Sequence, residues 1–137
     1  MTISSEIEEF HAHIYFKGPE ARAHTFALRE GLLTDFEGSA GGVREKPGGP
    51  HPKSDLLVQI PTERFADAVP YLMLNRRGLS ILVHPETGDP VADHTENALW
   101  LGDGLAVDVD FLRAFEEWQK AQTPKRRLDG WGPSGFS

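Results

Sequence analysis

Between residues 9 and 16 the side chains alternate, with Phe10, Ala12, Ile14 and Phe16 on one side and His11, His13 and Tyr15 on the other. A period of two marks a strand with two unlike faces. Gly18 and Pro19 end it, and Pro19 suits the first turn of a helix, where its missing N–H would have no partner anyway. The spacing of Ala23, Phe26, Ala27, Glu30 and Leu33 predicts that helix over residues 20–36, with Gly31 as an internal weak point. A glycine-rich approach at 38–43 leads to a short strand expected over 43–46. "PGGPHPKSD" is punctuated by Pro and Gly and reads as a loop, with Pro52 holding His51 extended.

Residues 56–60 form a β-rich run closed by Pro61. Thr62 fits an N-cap, and Phe65, Ala68, Val69, Leu72 and Met73 predict a second helix that Pro70 should bend or interrupt. "RGLSILVHP" predicts a strand with Leu79, Ile81 and Val83 on one face and Ser80, Leu82 and His84 on the other. The turn "PETGDP" and a polar stretch to Asn97 follow. A last helix is expected over 109–121, its apolar stripe being Phe111, Leu112, Phe115 and Trp118, and "WGPSGFS" reads as a loose or partner-docked tail.

The order β-α-β-β-α-β, then a helix, predicts an α+β chain of the ferredoxin-like, split βαβ type. Its four-stranded antiparallel sheet carries helices on one face, with the first and last strands adjacent and the other face open to a ligand or a second subunit. A homodimer of the α+β barrel type is expected from that open face and the tail at 131–136. The 137 residues are read as one domain, with a core over about 9–121 and a tail over 122–137.

A formal charge of −7 and a pI near 5.3 argue against general attraction to nucleic acid or an anionic membrane, and the basic run Lys125, Arg126, Arg127 reads as solvated. The absence of cysteine removes disulfides, thiolate ligands and cysteine nucleophiles. The acidic start "MTISSEIEEF" is no signal peptide and no run approaches the length of a membrane span, so a cytoplasmic protein is expected.

The histidines carry the chemistry. With the apolar sides of both strands turned to the helices, His11, His13 and His84 share the opposite face. Same-face neighbours on a strand lie roughly 7 Å apart at the backbone, and imidazoles can converge from there on one ion. Histidine without cysteine favours zinc, iron, copper or nickel over hard cations. His51 in "GPHP" and His94 in "ADHT" sit in loop contexts that often carry functional groups, whereas His24 reads as a surface residue. The pattern alone leaves a metal site and an acid–base site both open. Tyr15 and Trp100 are candidates to line a pocket for a flat substrate, and Arg76 or Arg77 to clamp a carboxylate.

"FHAHIYF", "GPHPKSDLLVQIP", "YLMLNRRGLSILVHPETGD" and "DHTENALWLG", spread over residues 10–102, resemble the DOPA 4,5-dioxygenase family of fungi and bacteria. That resemblance implies extradiol cleavage of a catechol such as L-DOPA by O2, with Fe(II) as cofactor and zinc or another divalent ion possible in a purified sample. With that chemistry, His11, His13 and His84 are assigned to the metal, His51 and His94 as acid–base or substrate-contacting groups, and Tyr15, Arg76 and Trp100 as substrate contacts. A common extradiol site also has a carboxylate ligand, and the sequence does not place one: Glu86 and Asp93 read as turn or cap residues. Three other functions compete. A non-catalytic module binding a metal or small aromatic would show no O2 consumption. A cofactor-free monooxygenase would survive chelation. RNA binding would need basic and aromatic residues on the open face, and ranks last.

Overall fold

A computed structural model describes residues 6–122. The first strand, β1 (Glu9–Phe16), leads into α1 (Pro19–Asp35), then β2 (Ser39–Arg44) and β3 (Ser54–Pro61). A short 3-10 turn (Thr62–Arg64) precedes α2 (Phe65–Asn75), and β4 (Ile81–Pro85), α3 (Pro90–His94), β5 (Leu99–Leu101) and α4 (Val109–Gln122) complete the chain. The strands form one antiparallel sheet in the order β2-β3-β1-β4-β5. The first four reproduce the expected ferredoxin-like arrangement, with β1 central and β4 beside it. The expected four-stranded sheet is corrected to five: β5 extends it beyond β4, and at three residues it is too short to announce itself by alternation.

One sheet face and the helices α1 and α2 build the core. Ala12 and Ile14 of β1, Leu56, Val58 and Ile60 of β3, Ile81 and Val83 of β4 and Leu101 of β5 pack against Leu28, Leu32, Ala68, Val69 and Leu72. On α1 the buried residues are Thr25, Leu28 and Leu32, so the stripe predicted from Ala23, Ala27 and Glu30 is out of phase: all three are exposed, with Phe26 and Leu33 half-buried. Gly31 is a point of contact rather than of weakness. A Cβ there would come within 2.7 Å of Tyr71 Cζ, so its lack of a side chain lets α2 approach α1.

Other local expectations change for identifiable reasons. The second strand begins at Ser39 rather than at residue 43, and its register on β3 shifts between Ala40 and Val43. Two glycines form that irregularity, and a Cβ on Gly41 would meet the Leu57 side chain at 2.5 Å. Thr62 does not cap a helix, because its hydroxyl donates to the Ile7 carbonyl. Met73 is exposed at the end of α2, and the helix continues through Pro70 to Asn75. Along α4 only Leu112 of the predicted stripe is fully buried, while Phe111 and Trp118 stay well exposed.

The second sheet face is not open, contrary to the sequence expectation. Its residues His11, His13, Tyr15, Leu57, Leu82 and His84 are all buried. The loop carrying His51 and the short α3 lie over them, and α4 packs on α3. The Asp108 amide donates to the Pro50 carbonyl at 2.8 Å, tying the start of α4 to that loop. The expected tail at 131–136 and the basic run at 125–127 lie outside the described residues. Among the described residues, no helix is long and apolar enough to cross a membrane.

Candidate metal centre

Strand register decides which side chains meet. His11 of β1 stands directly opposite His84 of β4. One row along, His13 faces Leu57 on β3 and Leu82 on β4, and Leu82 in turn faces Trp100 on β5. Tyr15 faces Asp55, and Asp55 faces Arg44 on β2. Alternation therefore sends His11, His13, Tyr15, Asp55, His84 and Trp100 to the same side as the covering loop. His51 and His94 come down from that cover, their rings 5.9 Å apart and 4.2 Å from those of His13 and His84 respectively. All five histidines are at most 3% exposed.

Two trios, His11–His13–His84 and His13–His51–His94, each offer three ligand atoms within 4.8 Å of one another. The three metal residues predicted from sequence form the first trio. The two predicted acid–base residues form the second, together with the shared His13.

Hydrogen bonding fixes which nitrogen most of these rings present, because a carbonyl or carboxylate oxygen only accepts. His84 Nδ1 donates to the Pro85 carbonyl and His94 Nδ1 to the Pro90 carbonyl, both at 2.8 Å. His13 Nδ1 donates to Asp55 Oδ2 at 2.8 Å. Each ring then carries its lone pair on Nε2. His13 Nε2 and His84 Nε2 face one another at 3.2 Å, and two lone pairs cannot bond to each other. His94 Nε2 is buried with no hydrogen-bond partner among the described residues. Two ligands about 2.0–2.1 Å from one ion lie this far apart when they subtend roughly 100°, near the tetrahedral angle. The donor set therefore fits a cation that accepts imidazole nitrogen, with iron and zinc among the candidates.

His11 and His51 are held differently. His11 Nε2 lies 2.8 Å from Glu9 Oε2, and its Nδ1 lies 3.4 Å from Glu86 Oε1. Tyr15 Oη is 2.7 Å from His51 Nδ1. Burial lowers the pKa of His11, His13, His84 and His94 below the ordinary imidazole value, and neighbouring histidines add to the shift of His13 and His84. These rings are thus neutral at neutral pH, the form a metal needs. Burial also raises Tyr15 well above the usual phenol range, keeping it protonated. It pushes Glu86 up to about 7, with Asp93 and Glu9 reinforcing the shift.

Of the predicted substrate contacts, Tyr15 and Trp100 stack at 5.8 Å beside the histidines. Tyr15 is fully buried and spends its hydroxyl on His51; Trp100 is half-buried. Arg76 takes another position: its Nη1 donates to the Leu79 carbonyl at 3.2 Å and its guanidinium packs against Gly102. His24 is half-buried and donates to the Asn75 carbonyl. Asp93 does act as a turn residue, accepting from the Thr87 amide and hydroxyl and from Asn97. Sequence reasoning missed Asp55 and Arg44. Asp55 is 1% exposed, and its Oδ1 lies 3.5 Å from Arg44 Nη1.

The model of the Dopa 4,5-dioxygenase family matches residues 10–111. The chain is 34% identical over 134 residues to a DOPA 4,5-dioxygenase of Amanita muscaria, a match covering 92% of this chain and 59% of that protein. It is 39% identical over 123 residues to an uncharacterized 21.2 kDa protein of Botryotinia fuckeliana, covering 82% of this chain and 67% of the other. A solved protein of Nostoc punctiforme, assigned by inference as a dioxygenase, superposes with a TM-score of 0.76 at 50% identity, covering 80% of this chain and 94% of that one.

Proposed function

Because the chain belongs to the Dopa 4,5-dioxygenase family, we propose that it is a metal-dependent dioxygenase that opens the ring of a catechol with O2, its metal held by His11, His13 and His84. The observation that supports the metal is the 3.2 Å approach of two Nε2 atoms, on His13 and His84, whose Nδ1 protons are already committed elsewhere. A ferrous ion held by these three residues would supply Lewis-acid activation of the catechol and redox chemistry toward O2.

The protein's own groups supply the rest. Both His11 nitrogens face glutamates, so as a ligand His11 would give up one of these contacts and keep the other, with Glu9 or Glu86, to hold the ring in place. His94, with Nδ1 pinned to the Pro90 carbonyl, presents Nε2 as a base for a catechol proton. His51 is assigned the opposite tautomer: with the Tyr15 hydroxyl 2.7 Å from Nδ1 acting as the donor, the proton stays on Nε2 as an acid. The loop, α3 and α4 keep water from the histidines, and Trp100 stacked on Tyr15 gives the site a flat apolar wall suited to an aromatic ring.

Anaerobic reconstitution with ferrous iron, followed by O2 uptake and a visible spectrum with L-DOPA and simpler catechols, tests this reading. The expected result is stoichiometric O2 uptake and a yellow semialdehyde-type product, both lost on chelation and in His84→Ala. Tight metal binding without uptake on any catechol would refute turnover and leave a binding module. Activity that survives chelation would refute the metal.

A further inference from the structure

A buried carboxylate, Asp55, stands directly behind His13. Asp55 lies at the start of β3, between Tyr15 and Arg44 in the sheet, and is 1% exposed. The core does not need it, since Leu56, Val58 and Ile60 fill the opposite face of the same strand. A buried carboxylate is costly unless it is paired. Its Oδ2 accepts from His13 Nδ1 at 2.8 Å and its Oδ1 faces the Arg44 guanidinium at 3.5 Å. Burial raises its pKa, while His51 and Arg44 act to lower it.

We propose that Asp55 is the positioning residue of this centre: through Nδ1 it fixes the His13 tautomer and ring, so that the Nε2 lone pair meets that of His84. The inference rests on the metal reading above and places a buried carboxylate one residue removed from the ion. His13 is the member common to both histidine trios, so its orientation decides whether either trio can close on a cation. His84 and His94 have backbone carbonyls in the equivalent place, which orient the ring without adding charge. Of these three rings His13 alone has a carboxylate there, at 2.8 Å and fully buried, whereas the Glu9 carboxylate beside His11 is partly exposed. A carboxylate behind an imidazole raises the basicity of the far nitrogen, and losing such a partner typically weakens metal binding 10–100-fold.

The test uses the full chain and zinc as a diamagnetic probe. In ¹⁵N spectra of the metal-free chain, His13 should show a protonated Nδ1 and a bare Nε2, and zinc should shift the Nε2 signal. Asp55→Asn should lower zinc affinity about 10–100-fold. Tyr71→Phe, which removes only a hydroxyl bonded to the Leu28 carbonyl, should leave that affinity unchanged and so controls for loss of stability. Equal affinity in Asp55→Asn and wild type, or a His13 bound through Nδ1, would overturn the inference. If Asp55→Asn does not fold, the wild-type ¹⁵N spectrum decides alone. Failure of the wild-type chain to bind zinc or iron would refute the metal reading itself, a distinguishable outcome.

Discussion

His51 differs from the other buried imidazoles in what fixes its ring. A phenol, unlike a carbonyl, donates as well as accepts, and Tyr15 is kept protonated by its burial. With Tyr15 as the donor, His51 carries its proton on Nε2, while His13, His84 and His94 present lone pairs there. Tyr15→Phe removes the donor and frees the tautomer. Turnover should fall roughly 10–100-fold, at the low end of what one acid–base group contributes, with metal content unchanged. An unaltered kcat would mean that Tyr15 serves only packing. At this scale the sequence was legible wherever strand alternation applied: His11, His13 and His84 share one face as expected. Asp55 obeys the same alternation, since Leu56, Val58 and Ile60 in the core require Asp55 and Leu57 opposite. It escaped notice because the predicted strand began at Leu56, two residues after the start of β3 at Ser54.

Among the elements, contacts between helices override local propensity at Gly31. Propensity alone predicts that Gly31→Ala would stabilise α1 by about 1 kcal/mol. The Tyr71 ring occupies the place of the added methyl, so the substitution should instead lower Tm in the native background. In a Tyr71→Ala background the same change should raise it. Thermal melts of the four proteins in this cycle decide, and additive effects would contradict the packing argument. The two elements missed from sequence, α3 and β5, span five and three residues. No periodicity can develop over such lengths, although Asp89 capping the Ala92 amide with Pro90 at the first helical position is a start signal that the stretch does contain. Their omission is why the histidine face was expected to be open: α3 brings His94 over it, and β5 adds Trp100 at its margin.

For the whole molecule, several neutral buried histidines make acid the weak point of the metal-free protein. Their folded pKa values lie below the ordinary 6.5. Above that pH both folded and unfolded chains leave them neutral. As pH falls below about 6.5 the unfolded chain takes up protons that the folded chain refuses, and stability drops by up to about 1.4 kcal/mol per pH unit for each histidine that stays neutral. Glu86 and Asp55, raised by burial, act in the opposite sense and offset part of the loss. The Tm of the metal-free chain should therefore decline between pH 7 and pH 5, and zinc should raise it at pH 7 by binding the folded state. A Tm flat across that range would contradict the assignment of neutral imidazoles.

X-ray absorption at the metal edge of the reconstituted chain tests the central claim most directly. The account predicts one ion per chain with imidazole nitrogens dominating its ligand shell, a signal that His84→Ala diminishes. A shell of oxygen ligands alone, or a spectrum unchanged in His84→Ala, would contradict it.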